Sequence, residues 1–155
     1  MDDVKKILFP TDFSEASYYA LSYAVKMKKL FNAELEIAHV LFDEANIVSF
    51  YLPQMTMQNI SHEFEDGAMK QFEEFTANAP ELEGVTFSKK LLKGTPYNEI
   101  VKEAAEGNFD LIIIGTHGRT GLEHVLFGST AEKVVRKAPC PVLTVRPKGK
   151  VNEMA

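Results

Sequence analysis

The chain has 155 residues, 45% of them hydrophobic and 25% charged, which is the size and make-up of one ordinary globular domain with no Pro-, Gly- or Ser-rich linker. Seventeen Lys and Arg, dispersed along the chain, against twenty-two Asp and Glu leave a net charge of -5 and exclude the basic footprint of a nucleic-acid binder. The lone Cys140 excludes an internal disulfide, Met1 to Phe9 is too short and charged for a signal peptide, and no apolar run approaches the ~20 residues of a membrane span, so one cytoplasmic domain over residues 1–155 is expected.

Val4 to Phe9 (VKKILF) reads as a strand stopped by Pro10 and followed by the loop Pro10-Thr11-Asp12-Phe13. A helix follows. Ser14 is its expected N-cap, Ala16, Ala20, Ala24, Met27 and Phe31 recur at helical spacing, Lys26, Lys28 and Lys29 suit its last turns, and Asn32 ends it. Leu35 to Phe42 (LEIAHVLF) is the second strand.

Asp43 to Met55 is a long connection whose Phe50, Tyr51 and Leu52 are more apolar than a bare surface loop needs, which suggests a cover for a pocket or a partner. The second helix starts near Thr56, with Met57, Ile60, Phe64, Ala68, Phe72 and Phe75 on its core face. Glu63, Glu65, Asp66, Glu73 and Glu74 form its solvated face.

Val85 to Leu92 (VTFSKKLL) begins with the alternation of an exposed edge strand, and Thr95-Pro96 then supplies an N-cap and a first-turn proline for a helix ending near Gly107. Asp110 to Ile114 (DLIII) is uniformly apolar after its first residue, as a strand buried on both faces must be. Beyond it lie a glycine-rich segment, a helix from Ser129 to Lys137, and a short strand, Val142 to Val145, between Pro141 and Pro147. Residues 148–155 read as a frayed tail. Strands alternating with helices predict a parallel α/β sheet that binds ligands past the C-terminal ends of its strands, with the first and fourth flanking the crevice.

The segment from Gly115 through Gly118, Gly121 and Gly128 to Ser129 and Thr130 leaves a buried strand and enters a helix. That arrangement points to phosphate. Glycines let backbone N–H groups face a concave nest, and a helix start offers unpaired donors and positive potential to an anion. Ser129 and Thr130 add hydroxyls and Arg119 a charge, while Ser129-x-x-Glu132 also reads as a capping box. No Lys-Ser or Lys-Thr follows a glycine, so this is no Walker A loop, and a dinucleotide fingerprint would follow the first strand, where PTDF stands instead.

Gly115, Gly118, Gly128 and Ser129 match the G-x2-G-x9-G-S/T pattern of ATP-binding members of the universal stress protein family, which the chain resembles almost end to end. KKILFPTDFSEAS, AHV, KGTPYNEIVKEA and APCPVLTVRP carry the rest of the likeness. The resemblance implies a three-layer α/β/α domain with a five-stranded parallel sheet in the order 3-2-1-4-5, and a homodimer through Val142 to Val145. It further implies that Pro10 and Thr11 shape the adenine side, that Val40 offers backbone groups to the adenine edge, and that Asp12 lies near the ribose or a phosphate-bound Mg²⁺ or Mn²⁺. Gly115 would approach the ribose, and Gly118, Arg119, Gly128, Ser129 and Thr130 would surround the phosphates.

His117 and His124 make no zinc motif and read as solvated loop residues, and Cys140, between two prolines, reads as a packing residue. An ATP-binding regulatory module with a protein partner is the leading expectation. The alternatives are a slow or partner-dependent ATPase or phosphotransferase, for which the sequence names no base, and a dimeric interaction protein without nucleotide. A phosphoacceptor receiver domain is excluded because the third strand ends in Leu91-Leu92-Lys93-Gly94 with no Asp.

Overall fold

The computed structural model describes residues 3–42, 54–117 and 128–148, with the backbone alone for 54–61. Its elements are β1 (Lys6–Pro10), α1 (Glu15–Phe31), β2 (Glu34–Phe42), α2 (Gln54–Ala77), a short 3-10 turn (Pro80–Leu82), β3 (Ser88–Gly94), α3 (Pro96–Glu106), β4 (Leu111–Gly115), α4 (Ser129–Lys137) and β5 (Val142–Val145). The connection expected from Asp43 to Met55 lies outside the described residues up to residue 53, as does the tail beyond residue 148.

All five strands pair in parallel in the order β3-β2-β1-β4-β5, as expected. Alternation along the strands divides the core in two. Ile7, Phe9, Leu35, Ile37 and Ile113 pack against α1 and α2, whereas Leu8, Ala38, Val40, Ile112 and Ile114 pack against α3 and α4. Both faces are therefore apolar, which a parallel sheet covered by helices requires.

Local signals set the helix ends. The Ser14 hydroxyl accepts from the Ser17 N–H at 3.2 Å, and Asn32 closes α1 in the left-handed region at φ 52 with its N–H on the Lys28 carbonyl. At the other end of the sheet Asp110 Oδ2 accepts from the Lys5 and Lys6 N–H groups, both at 2.9 Å, and so ties the entry of β4 to that of β1.

Three expectations are corrected. Pro10 does not stop β1 but belongs to it, opposite Ala38, because the Thr11 N–H beyond it takes the Ala38 carbonyl at 2.8 Å. The third strand is Ser88–Gly94 rather than Val85 to Leu92, since Val85 and Phe87 turn onto the α1–α2 core before the strand begins. Phe64 is 48% exposed; among the described side chains the buried stripe of α2 is Ala68, Phe72 and Phe75, and the expected Met57 and Ile60 lie outside the described side chains.

One polar cluster sits where α3 covers β2. Lys90 Nζ donates to both Glu103 carboxylate oxygens at 2.9 Å, and Glu36 Oε1 beside them is buried with no hydrogen-bond partner among the described residues. Burial, then the neighbouring Glu103 carboxylate, pushes the Glu36 carboxyl up to about 7 from 4.5, while Lys90 and Lys6 pull it down. The folded protein thus keeps a proton that the unfolded chain releases near pH 4.5. Stability from this group is complete below that pH and is lost as pH rises through 7. Allowing for partial exposure, the loss is about 1–2 kcal/mol, and Glu36→Gln should flatten the decline of the urea midpoint between pH 5 and 8. An unchanged slope in that variant would assign the pH dependence to other groups.

Candidate functional site

The strand order reverses between β1 and β4, whose ladder holds Ile7 opposite Leu111 and Leu8 opposite Ile112. Past those pairs a cavity of about 260 Å³ opens at the C-terminal ends of β1, β2 and β4. Its floor is apolar, from Pro10, Ala38, Val40 and Ile114, and Pro96 and Ile100 of α3 close one side. Its polar wall comes from Thr11, Asp12, Ser17, His39, Thr116 and His117, and the start of α4 faces it through Gly128, Ser129 and Thr130.

The loop after β1 is organised by its own short side chains. The Phe13 N–H donates to Thr11 Oγ1 at 3.1 Å, the Thr11 and Ser17 hydroxyls bond each other, and the Ser14 N–H donates to Asp12 Oδ1 at 3.0 Å. Asp12 therefore organises its turn and lines the cavity at once. Phe13 turns the chain at φ 65, a left-handed conformation that strains a side-chain-bearing residue by about 1 kcal/mol. Its ring is held in return against His39, Phe72 and Phe75, with centroids 4.1, 5.4 and 5.6 Å away.

The Val40 backbone is aimed by strand geometry. Successive residues of a strand send their backbone groups to opposite sides, so Val40 points its N–H and C=O the way Ala38 does, toward β1. Because β1 pairs with Ala38 through its last residue, those groups of Val40 lie past its end, beside the cavity.

The capping-box expectation at Ser129 fails. Gly128, extended at φ -65 and ψ 158, is the N-cap of α4 and supplies no side chain, while Ser129 is the first helical residue. Glu132 pairs instead with Arg136 at 2.9 Å. The Gly128 N–H donates to the Thr116 carbonyl, fastening the helix start to the end of β4. The next amides of the first turn have no acceptor within the helix and face the cavity with the positive end of its dipole, a natural anion site.

Gly115, expected near the ribose, is among the residues that line the cavity. A Cβ there would meet nothing closer than 3.7 Å, and its neighbours would be the Ala16 carbonyl, the His117 carbonyl and Ala20, so the vacant side-chain position faces α1. Gly118, Arg119, Gly121 and His124 lie outside the described residues. His117, expected in solvent, is half-buried in the cavity wall with Nδ1 2.9 Å from Thr116 Oγ1. Cys140 packs against the α3–α4 core, where burial, then the Asp110 charge, raises its thiol pKa, the reverse of what a nucleophile needs.

Sequence reasoning missed His39, Ser17, Thr116, Pro96 and Ile100, which reach the cavity from four different elements or loops. The available signal was polarity out of place: His39 interrupts the apolar run of β2, and Thr116 follows β4 directly. Among the described residues no group of three or more His, Cys, Asp or Glu is placed to hold a metal ion, and no helix is long and apolar enough to cross a membrane.

A family model described as the universal stress protein family matches residues 3–146. Universal stress protein MJ0531 of Methanocaldococcus jannaschii is 38% identical over 143 residues, covering 92% of this chain and 82% of that protein. The solved structure of MJ0577, from the same organism, superposes with a TM-score of 0.77 at 35% identity and covers 95% of this chain and 99% of that one. A universal stress protein solved in complex with cAMP aligns at 25% identity and a TM-score of 0.60, over 94% of this chain and 98% of its own. With the five-stranded order, the cavity at its reversal and a family match over nearly the whole length, the chain belongs to the universal stress protein family.

Proposed function

We propose that this chain is an ATP-binding regulatory module of the stress response, acting in the cytoplasm as one domain over residues 1–155. One observation carries the reading: a single cavity joins an apolar floor, the Val40 strand edge, Asp12 and the amide-rich start of α4. These are the surfaces that a base, a ribose and a phosphate chain respectively need. The cAMP complex of a relative is in keeping with an adenine nucleotide as ligand.

Pro10, Thr11 and Val40 serve the adenine, and Asp12 and Gly115 the ribose side. Gly128, Ser129 and Thr130, with Gly118 and Arg119, serve the phosphates. A divalent cation fits as a companion of the phosphates, since Mg²⁺ accepts one carboxylate when phosphate oxygens and water complete its shell, and Asp12 supplies a carboxylate on the cavity wall. Bound Mg²⁺ or Mn²⁺ would offset charge between Asp12 and the nucleotide.

The same reading includes a homodimer through β5. Val142 to Val145 forms one edge of the sheet, and the carbonyls of Pro141 and Val145 bond toward β4, leaving the backbone of Val142 and Thr144 directed outward. Nucleotide that binds one conformation selectively would alter the surface offered to a protein partner.

Melting the protein with Mg-ATP tests the reading. Ligand at ~100 times its dissociation constant stabilises the fold by about 2.7 kcal/mol, which for a domain of this length raises the midpoint by roughly 5–10 °C. No shift at millimolar Mg-ATP would count against nucleotide binding.

A further inference from the structure

We propose that His39 is the positioning residue of this site: its imidazole holds the Thr11 carbonyl and thereby sets where the Thr11–Phe13 turn presents Asp12 to the ligand. The proposal rests on the nucleotide-binding reading above and adds to it a residue that works through the turn rather than on the nucleotide.

The sheet needs such a device at this point. The bond from the Thr11 N–H to the Ala38 carbonyl extends the β1–β2 ladder past the last paired residue of β1, and the Thr11 carbonyl beyond it is met by a side chain, that of His39, instead of by a backbone N–H of the ladder. His39 Nδ1 lies 2.8 Å from that carbonyl. A carbonyl oxygen only accepts, so the contact requires the proton on Nδ1 and defines the tautomer. A side chain 28 residues away thus completes the accounting of a backbone group at the mouth of the cavity.

A second contact comes from the other end of the same turn. Phe13 stacks on the imidazole with centroids 4.1 Å apart and planes at 28°, and it does so from the left-handed conformation at φ 65. One imidazole therefore fixes the turn twice, by an edge at Thr11 and by a face at Phe13. Asp12 is the residue between those anchors, it lines the same cavity as His39, and its Oδ1 is already engaged by the Ser14 N–H. With both neighbours and one of its own oxygens held, the carboxylate is pre-oriented before any ligand arrives, and pre-orientation raises affinity by removing an ordering cost from the binding step.

The test separates the two nitrogens of the ring. An asparagine at this position carries its amide nitrogen about where Nδ1 sits, whereas a glutamine reaches about where Nε2 sits. Calorimetric titration of the full chain with Mg-ATP should find His39→Asn within about three-fold of the unaltered protein, and His39→Gln and His39→Leu at least about ten-fold weaker. Ligand-free melting points of all three are read alongside, so that a variant that merely fails to fold is recognised. Affinity retained in His39→Leu overturns the proposal, and affinity retained in His39→Gln but lost in His39→Asn shows the ring acting on the ligand through Nε2 instead. Imidazole ¹⁵N shifts of the ligand-free protein give an independent check: an unprotonated Nδ1 refutes the contact whether or not ATP binds. An unaltered protein that binds no ATP while showing a protonated Nδ1 would overturn the nucleotide reading and leave the turn-holding role of His39 standing.

Discussion

Replacing Ser129 with proline should leave the ligand-free protein folded and at least as stable, yet weaken nucleotide binding by about 100-fold or more. The site tolerates the ring. Ser129 is the first residue of α4, where proline's fixed φ suits a helix and its missing N–H breaks no intrahelical bond. Gly128 before it is extended at ψ 158, the conformation that a residue preceding proline prefers. The substitution removes two donors that face the cavity, one amide and one hydroxyl, and hydrogen bonds to a charged group are worth about 1.5–3 kcal/mol each. Ser129→Ala, which removes the hydroxyl alone, should cost about ten-fold. Calorimetry on both variants checks the pair, and equal affinity in the proline variant would mean that the α4 terminus holds no phosphate.

Phe72→Ala should lower stability by about 3–5 kcal/mol, a large part of the roughly 5–15 kcal/mol that holds a domain together. Phe72 is fully buried between α2 and the sheet and touches the ring of Phe13 edge-on, so its loss opens a cavity beneath the turn that carries Asp12. Chemical denaturation should show the midpoint falling by about 1–3 M urea with little change in slope. A fall below about 0.5 M would mean that the core collapses onto the gap. Saturating nucleotide should recover part of the loss, because a ligand that binds only the folded form stabilises it by mass action.

Much of the framework was legible before any coordinates. Helix α1 runs between the expected caps Ser14 and Asn32, α4 runs from Ser129 to Lys137 as anticipated, and the uniformly apolar DLIII segment does lie inside the sheet. Such signals are local, since a cap reaches three residues and a helical stripe repeats every three or four. The misreadings share a different cause. Val85 and Phe87 alternate like strand residues but pack from a loop against the core between α1, α2 and the sheet, and Phe64 keeps the period of its helix while staying about half exposed. Periodicity reports which side of an element is apolar and is silent about where its partner ends.

The site divides along the same line. The amino-acid order alone determined that a glycine-rich segment joins a buried strand to a helix, and that PTDF follows the first strand, because both are features of adjacent residues. That Gly128 rather than Ser129 caps α4, that Gly115 turns its vacant side toward α1, and that His39, Ser17, Thr116 and Ile100 share one cavity were decided by the tertiary structure. The cavity exists because the order of the strands reverses between β1 and β4, and a reversal of order arises from pairing between segments about a hundred residues apart, which no local pattern encodes.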